Sequence, residues 1–181
     1  MCEDLLGSQP APELLDLDRF GYLRGGEDVV ESWWRRAWDH REANGGEVFE
    51  AFIYAWIAFN GWAECVSGEE QDARWVRALS FDERLKTSFE EHARHRSDRA
   101  LSEFSARWPV PKVQDIRRQT PQADISAVPE EKARFFAEHN IKHAPQCWLV
   151  HEQRGEPVPI DWPHFLAAAY RVRCNLFHGE K

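Results

Sequence analysis

Apolar residues recur along this chain at helical spacing, and no stretch of useful length alternates in the manner of a strand. From Glu27 to about Ala43, Val30, Trp33, Trp34, Ala37 and Trp38 fall at i, i+3, i+4, i+7 and i+8, which is one helix face. The Gly45-Gly46 pair then breaks the chain. From Glu47 to Ser67, Phe49, Phe52, Ile53, Trp56, Phe59 and Ala63 keep the same spacing. Val48, Ala55 and Trp62 extend the apolar cover around that helix. A helix apolar on nearly all sides belongs in a core or at a subunit contact. Gly68 is its natural C-terminal stop.

Beyond it, Trp75, Val76 and Leu79 make one helical face. Asp82 suits the cap of a following helix that carries Leu85 and Phe89. Ser97 or Asp98 can open another, with Leu101, Phe104 and Trp108, which Pro109 and Pro111 end. Residues 109–128 read as a loop, and a short helix is expected near Pro129–His139. Residues 140–160 read as a connector with a short extended piece at Trp148-Leu149-Val150. Residues 1 to about 26 read as an irregular N-terminal arm, and residues 27–181 as one helical domain. The expected class is all-α, a bundle.

The last helix should open at Asp161, an N-cap, with Pro163 in the first turn, and run to about His178, with Gly179 at the stop. At about 100° per residue its side chains sort into stripes. Phe165, Ala169, Val172 and Leu176 form a narrow apolar stripe, the expected core face. Arg171, Asn175 and His178 share a polar stripe. Arg173 stands apart, on the arc of Leu166 and Phe177 beside the core. A guanidinium there is either an internal ion pair or a cation facing a cleft. Both Arg171 and Arg173 remain candidates to work with His178.

Composition narrows the classes. The chain has 181 residues, 43% of them hydrophobic, with nine Trp and eleven Phe. That suffices for a sizeable core in one domain. The 30% charged content favours a soluble protein, and no run of eighteen apolar residues exists to span a membrane. The acidic start, Met1-Cys2-Glu3-Asp4, does not read as a signal peptide, so a cytoplasmic location is expected. Four cysteines at irregular spacing, Cys2, Cys65, Cys147 and Cys174, read as free thiols, with no disulfide framework or zinc site. A net charge of −8 opposes broad nucleic-acid binding, so any such contact must be local. Basic residues do cluster, at Arg117-Arg118 and at Arg171, Arg173 and Lys181.

The chemistry concentrates in Tyr170-Arg171-Val172-Arg173-Cys174-Asn175-Leu176-Phe177-His178-Gly179-Glu180-Lys181. Arginine neutralises phosphate charge and histidine moves protons near neutral pH, so the pair suffices for phosphodiester cleavage with no metal. His92 and His95, three apart with Glu91 alongside, are a weaker metal-ligand candidate and read better as a solvated charged face. There is no P-loop, GxGxxG or GxSxG motif.

Arg173-Cys174-Asn175-Leu176-Phe177-His178 resembles the Arg-x4-His signature of HEPN domains, and Arg171-x6-His178 matches the longer form of that signature. Phe52-Ile53-Tyr54-Ala55-Trp56-Ile57-Ala58-Phe59-Asn60 is similar to the aromatic helix that ends in Phe-Asn in one branch of that superfamily. The resemblance implies a four- to five-helix bundle, usually a homodimer, and in many members a metal-independent endoribonuclease without cofactor. It assigns Arg173 to the scissile phosphate, His178 to general acid or base work, and Asn175 to positioning. Arg171 and Lys181 would hold substrate. RNA and a second copy of the chain are the implied partners, and an antitoxin or regulatory protein is a further one. The rival reading is a noncatalytic HEPN module that binds RNA, nucleotide or a protein. A third is a structural helical protein in which Arg173 is an internal ion pair.

Overall fold

The computed structural model describes residues 15–22, 25–41, 46–95, 99–108, 110, 113 and 146–177. Among them there is no strand, and the all-α class holds. The α-helices are α1 (Gly26–Asp39), α2 (Gly46–Ser67), α3 (Asp72–Phe81), α4 (Glu83–His95), α5 (Arg99–Ser105), α6 (Gln146–Arg154) and α7 (Trp162–Phe177). These outnumber the four or five expected. A short 3-10 helix, Leu17–Tyr22, precedes them. No helix among the described residues is long and apolar enough to cross a membrane. By its contacts the chain divides into two compact units, Pro10–Glu83 and Arg84–Lys181.

In the unit Pro10–Glu83, α2 is the central element. Trp56, Ala58, Ala63 and Val66 on α2 are buried, as are Trp75, Val76 and Leu79 on α3. Trp75 fills the centre, its ring 5.7 Å from both Trp56 and Phe59. Such offset aromatic contacts add to the area they remove from water. On the other side, Trp33 of α1 meets Tyr54 of α2 at 5.6 Å. The expectation of an irregular arm needs correction over its described part. Asp16 Oδ1 accepts from the N–H groups of Asp18 and Arg19 and so caps the 3-10 helix. The Asp16 N–H donates to Val66 O at 3.0 Å, and Leu15 is buried. Gly68, at φ +67°, ends α2, and its N–H closes on Glu64 O.

In the unit Arg84–Lys181, Trp148 of α6 and Ala167 and Ala168 of α7 are buried together. Phe104, Trp108, Val110 and Val158 pack against them. Phe165 of α7 meets Phe89 of α4 at 5.2 Å and Phe104 of α5 at 6.0 Å. The expected extended piece at 148–150 is helical instead, as part of α6. A three-residue apolar run carries no period, so spacing could not separate the two forms. Gly155 at φ +65° ends α6, and the Glu156 N–H donates to His151 O at 3.0 Å, the long bond of a Schellman cap. The loop and helix expected at 109–139 lie almost wholly outside the described residues.

The last helix opens as expected and packs differently. Asp161 Oδ1 accepts the His164 N–H at 3.0 Å, a true N-cap. The buried residues, however, are His164 and the consecutive Leu166, Ala167, Ala168 and Ala169, four neighbours that point in different directions around the helix. Phe165, Val172 and Leu176, expected on one core stripe, are half-buried. The alanines explain the change, because their small side chains let neighbouring residues close on α7 from several sides.

Candidate functional site

The final two turns of α7 rest on this enclosed first half. Arg171, Arg173 and Asn175 all stand there, each half-buried. The Arg173 guanidinium lies over the Phe177 ring, with Cζ 5.1 Å from the centroid. Arg173 and Phe177 are four apart and therefore neighbours on one helix face. Arg173 Nε is buried, while Phe177 is 50% exposed. The guanidinium thus runs along the helix from a covered root toward an open aromatic face. A planar cation stacked this way loses little freedom when it engages a phosphate.

Asn175 occupies a different face. Its Oδ1 accepts the backbone N–H of Val113 at 3.4 Å, a long hydrogen bond. Val113 is buried, so Asn175 faces another stretch of the chain and is no plain surface residue. Arg171 lies one turn before it on the same face. His178 and Lys181, the remaining residues assigned by the resemblance, lie outside the described residues, as do Arg117 and Arg118. The described part of the motif therefore supplies two permanent cations and one amide.

A second polar cluster, at the opposite end of α7, went unread in the sequence. His164, 5% exposed, is held to Asp161 twice, by its backbone N–H and by its ring Nδ1–H, the latter at 2.6 Å. Burial alone would raise the Asp161 carboxyl. The hydrogen bonds from the His164 ring and backbone, the charge of His164 and that of Lys86 outweigh it and hold the carboxyl below the usual carboxylate range. The His164 ring lies 5.4 Å from Trp148 and 5.9 Å, edge-on, from His151. His151 Nδ1 is 3.6 Å from Glu156 Oε2, ion-pair distance but beyond a hydrogen bond. Asp161 fixes the orientation of the His164 ring through the Nδ1–H contact. A ring so thoroughly covered has no room for a reactant and serves to lock the start of α7. The signal was available: an N-cap Asp followed three residues later by a side chain able to bond back, a variant of the capping box.

Other candidates are less suited to chemistry. Burial pushes the Cys65 thiol up, with Asp16 adding to the rise and Arg19 opposing it, so Cys65 is not an activated thiolate. His92 is exposed and donates through Nδ1 to Ser88 O at 2.9 Å, and the side chain of His95 lies outside the described residues. Among the described residues, no three His, Cys, Asp or Glu side chains are placed to hold a metal ion. A cavity of about 340 Å³ lies among α4, α5 and α7, walled by Phe89, Leu101, Phe104 and Phe165, with His92 its one polar side chain. It offers no fixed cation for a phosphate.

In comparisons with known proteins, the chain matches no family model, no curated protein and no solved structure.

Proposed function

We propose that this protein is a metal-independent endoribonuclease of the HEPN type, with Arg173 and His178 as its working pair. The observation that carries the proposal is the placement of Arg173. Its guanidinium lies over Phe177 near the end of a helix whose first half carries the buried residues, five residues before His178.

In the proposed reaction the RNA 2′-oxygen attacks the adjacent phosphorus. A bond from that oxygen to phosphorus forms, and the bond from phosphorus to the 5′-oxygen breaks. The imidazole of His178 moves the proton from the attacking hydroxyl toward the leaving oxygen. The products are a cyclic phosphate and a free 5′-hydroxyl. Arg173 binds the phosphate and stabilises the charge that grows on its oxygens. Asn175, tethered through Val113, positions the backbone. Arg171 and Lys181 hold flanking phosphates. A second copy of the chain supplies the other wall of the cleft.

The test is RNA cleavage in the presence of EDTA, with the cyclic phosphate identified in the product. Arg173→Ala and His178→Ala should each abolish cutting while circular dichroism stays unchanged. If Arg171→Ala abolishes cutting and Arg173→Ala does not, the working arginine is Arg171. RNA binding that persists with no cleavage under any condition would favour the noncatalytic module.

A further inference from the structure

The cavity among α4, α5 and α7 holds chemistry that the Arg173 motif does not use. Its volume is about 340 Å³. A buried apolar cavity of roughly 150 Å³ takes a benzene, so this space is scaled for a two-ring guest. Phe165 of α7 forms one wall with Phe89 of α4, their centroids 5.2 Å apart and their planes 35° apart. Phe104 of α5 meets Phe165 almost perpendicularly, at 6.0 Å and 78°. A planar guest that stacks on Phe165 therefore meets Phe104 edge-on, and both arrangements are favourable for aromatic rings. Leu101, Ala93 and Ala100 complete the lining, and the small size of the two alanines keeps the space from closing.

The one polar side chain in the lining, His92, sets the chemistry of the guest. Its Nδ1 stands 2.9 Å from Ser88 O, one turn earlier on α4. A carbonyl oxygen only accepts, so the neutral ring carries its proton on Nδ1 and a lone pair on Nε2. With Nδ1 turned to its own helix, Nε2 is the atom left for a guest, and it calls for a donor. Among the described residues no charged side chain lines the cavity. A carboxylate or phosphate would lose its hydration there with nothing in return.

We propose that this cavity binds a neutral, planar two-ring molecule with one hydrogen-bond donor, of the indole class. The phenylalanine rings supply the contact area, and His92 Nε2 accepts the donor. The proposal is independent of the nuclease reading, since it uses neither Arg173 nor His178. His92 is exposed, so the cavity opens to water on that side. For a guest this small in an open site, a Kd on the order of 100 µM is expected with indole itself.

Titration of the full chain with indole, followed by calorimetry and by the NMR methyl signals of Leu101, tests this. Indole should saturate by about 2 mM and move the Leu101 methyls through its ring current. Benzofuran has the same shape with an oxygen in place of the N–H, and should bind about tenfold more weakly. His92→Leu should reduce indole to the level of benzofuran. Ala93→Leu should fill the space and abolish binding of both, and Ala100→Leu should do the same from α5. His92 and Ala100 are exposed, and unchanged circular dichroism would verify the fold. Absence of saturable indole binding would overturn the proposal. So would binding that leaves the Leu101 methyls unmoved, or a preference for indole that survives His92→Leu.

Discussion

Asp161 grips His164 with a single oxygen: Oδ1 accepts both the backbone N–H at 3.0 Å and the ring Nδ1–H at 2.6 Å. Removing that oxygen leaves an uncapped helix and a buried ring donor with no acceptor. Asp161→Ala should therefore cost about 2–3 kcal/mol, the sum of a lost cap and an unsatisfied buried group. Asp161→Asn keeps an acceptor and should cost roughly half as much or less. Urea unfolding of the three chains measures both.

The same contact makes stability depend on acid. The Asp161 carboxyl is held below its usual range in the folded chain, so its contribution is present above the unfolded pKa. It is lost as pH falls through the folded value. Relative to wild type, Asp161→Asn should be less stable at neutral pH, and the gap should narrow below about pH 4. Melting temperatures between pH 7 and pH 3 would show this, and a constant gap would contradict it.

The aromatic centre of the unit Pro10–Glu83 gives a sharper contrast. Trp75 is 0% exposed between Trp56 and Phe59, whereas Trp34 stands half open. Trp75→Ala should cost about 3–5 kcal/mol, and Trp34→Ala less than about 1 kcal/mol in the monomer. Denaturant midpoints at low protein concentration separate the two.

Two glycines permit a paired test of backbone strain. Gly68 and Gly155 both sit at positive φ, +67° and +65°. A Cβ on Gly155 would meet nothing within 4 Å, while one on Gly68 would approach Arg19 Nη1 to 2.8 Å. Gly155→Ala should cost only the left-handed backbone penalty, about 1–2 kcal/mol. Gly68→Ala should cost that and a small addition, because the Arg19 tip must swing away.

For the proposed reaction, Arg173→Lys is the informative change. Lysine keeps the charge and loses the planar fork that stacks on Phe177 and grips two phosphate oxygens. Cleavage should fall about 10²-fold or more, with RNA affinity reduced far less. Single-turnover rates beside binding measurements on an uncleavable RNA would distinguish the two effects.

Much of the fold was legible. Trp75, Val76 and Leu79 were readable as one face, and all three are buried. Asp161 and Gly68 declared helix ends through side-chain oxygen and backbone freedom, which are local properties. What failed depended on partners distant in sequence. Trp148-Leu149-Val150 is too short to reveal a period, and the burial of Trp148 against α7 could not be read locally. Ala167, Ala168 and Ala169 count little on any hydrophobic wheel, yet their smallness lets neighbours close on the first half of α7 from several sides. Of the site, the residue types were visible in the motif. The stacking of Arg173 on Phe177 followed from helical spacing, while the bond from Val113 to Asn175 spans 62 positions and left no local trace.

The unequal burial of α7 also sets the order in which its amides open. Residues 164–169 are almost wholly enclosed, while residues 170–176 are covered only in part. Hydrogen exchange should be slowest in the first half and grow faster toward Phe177, so the helix unravels from one end only. Occupancy by an anion at Arg171 or Arg173 should therefore register as slowed exchange over residues 170–176, with the first half unchanged.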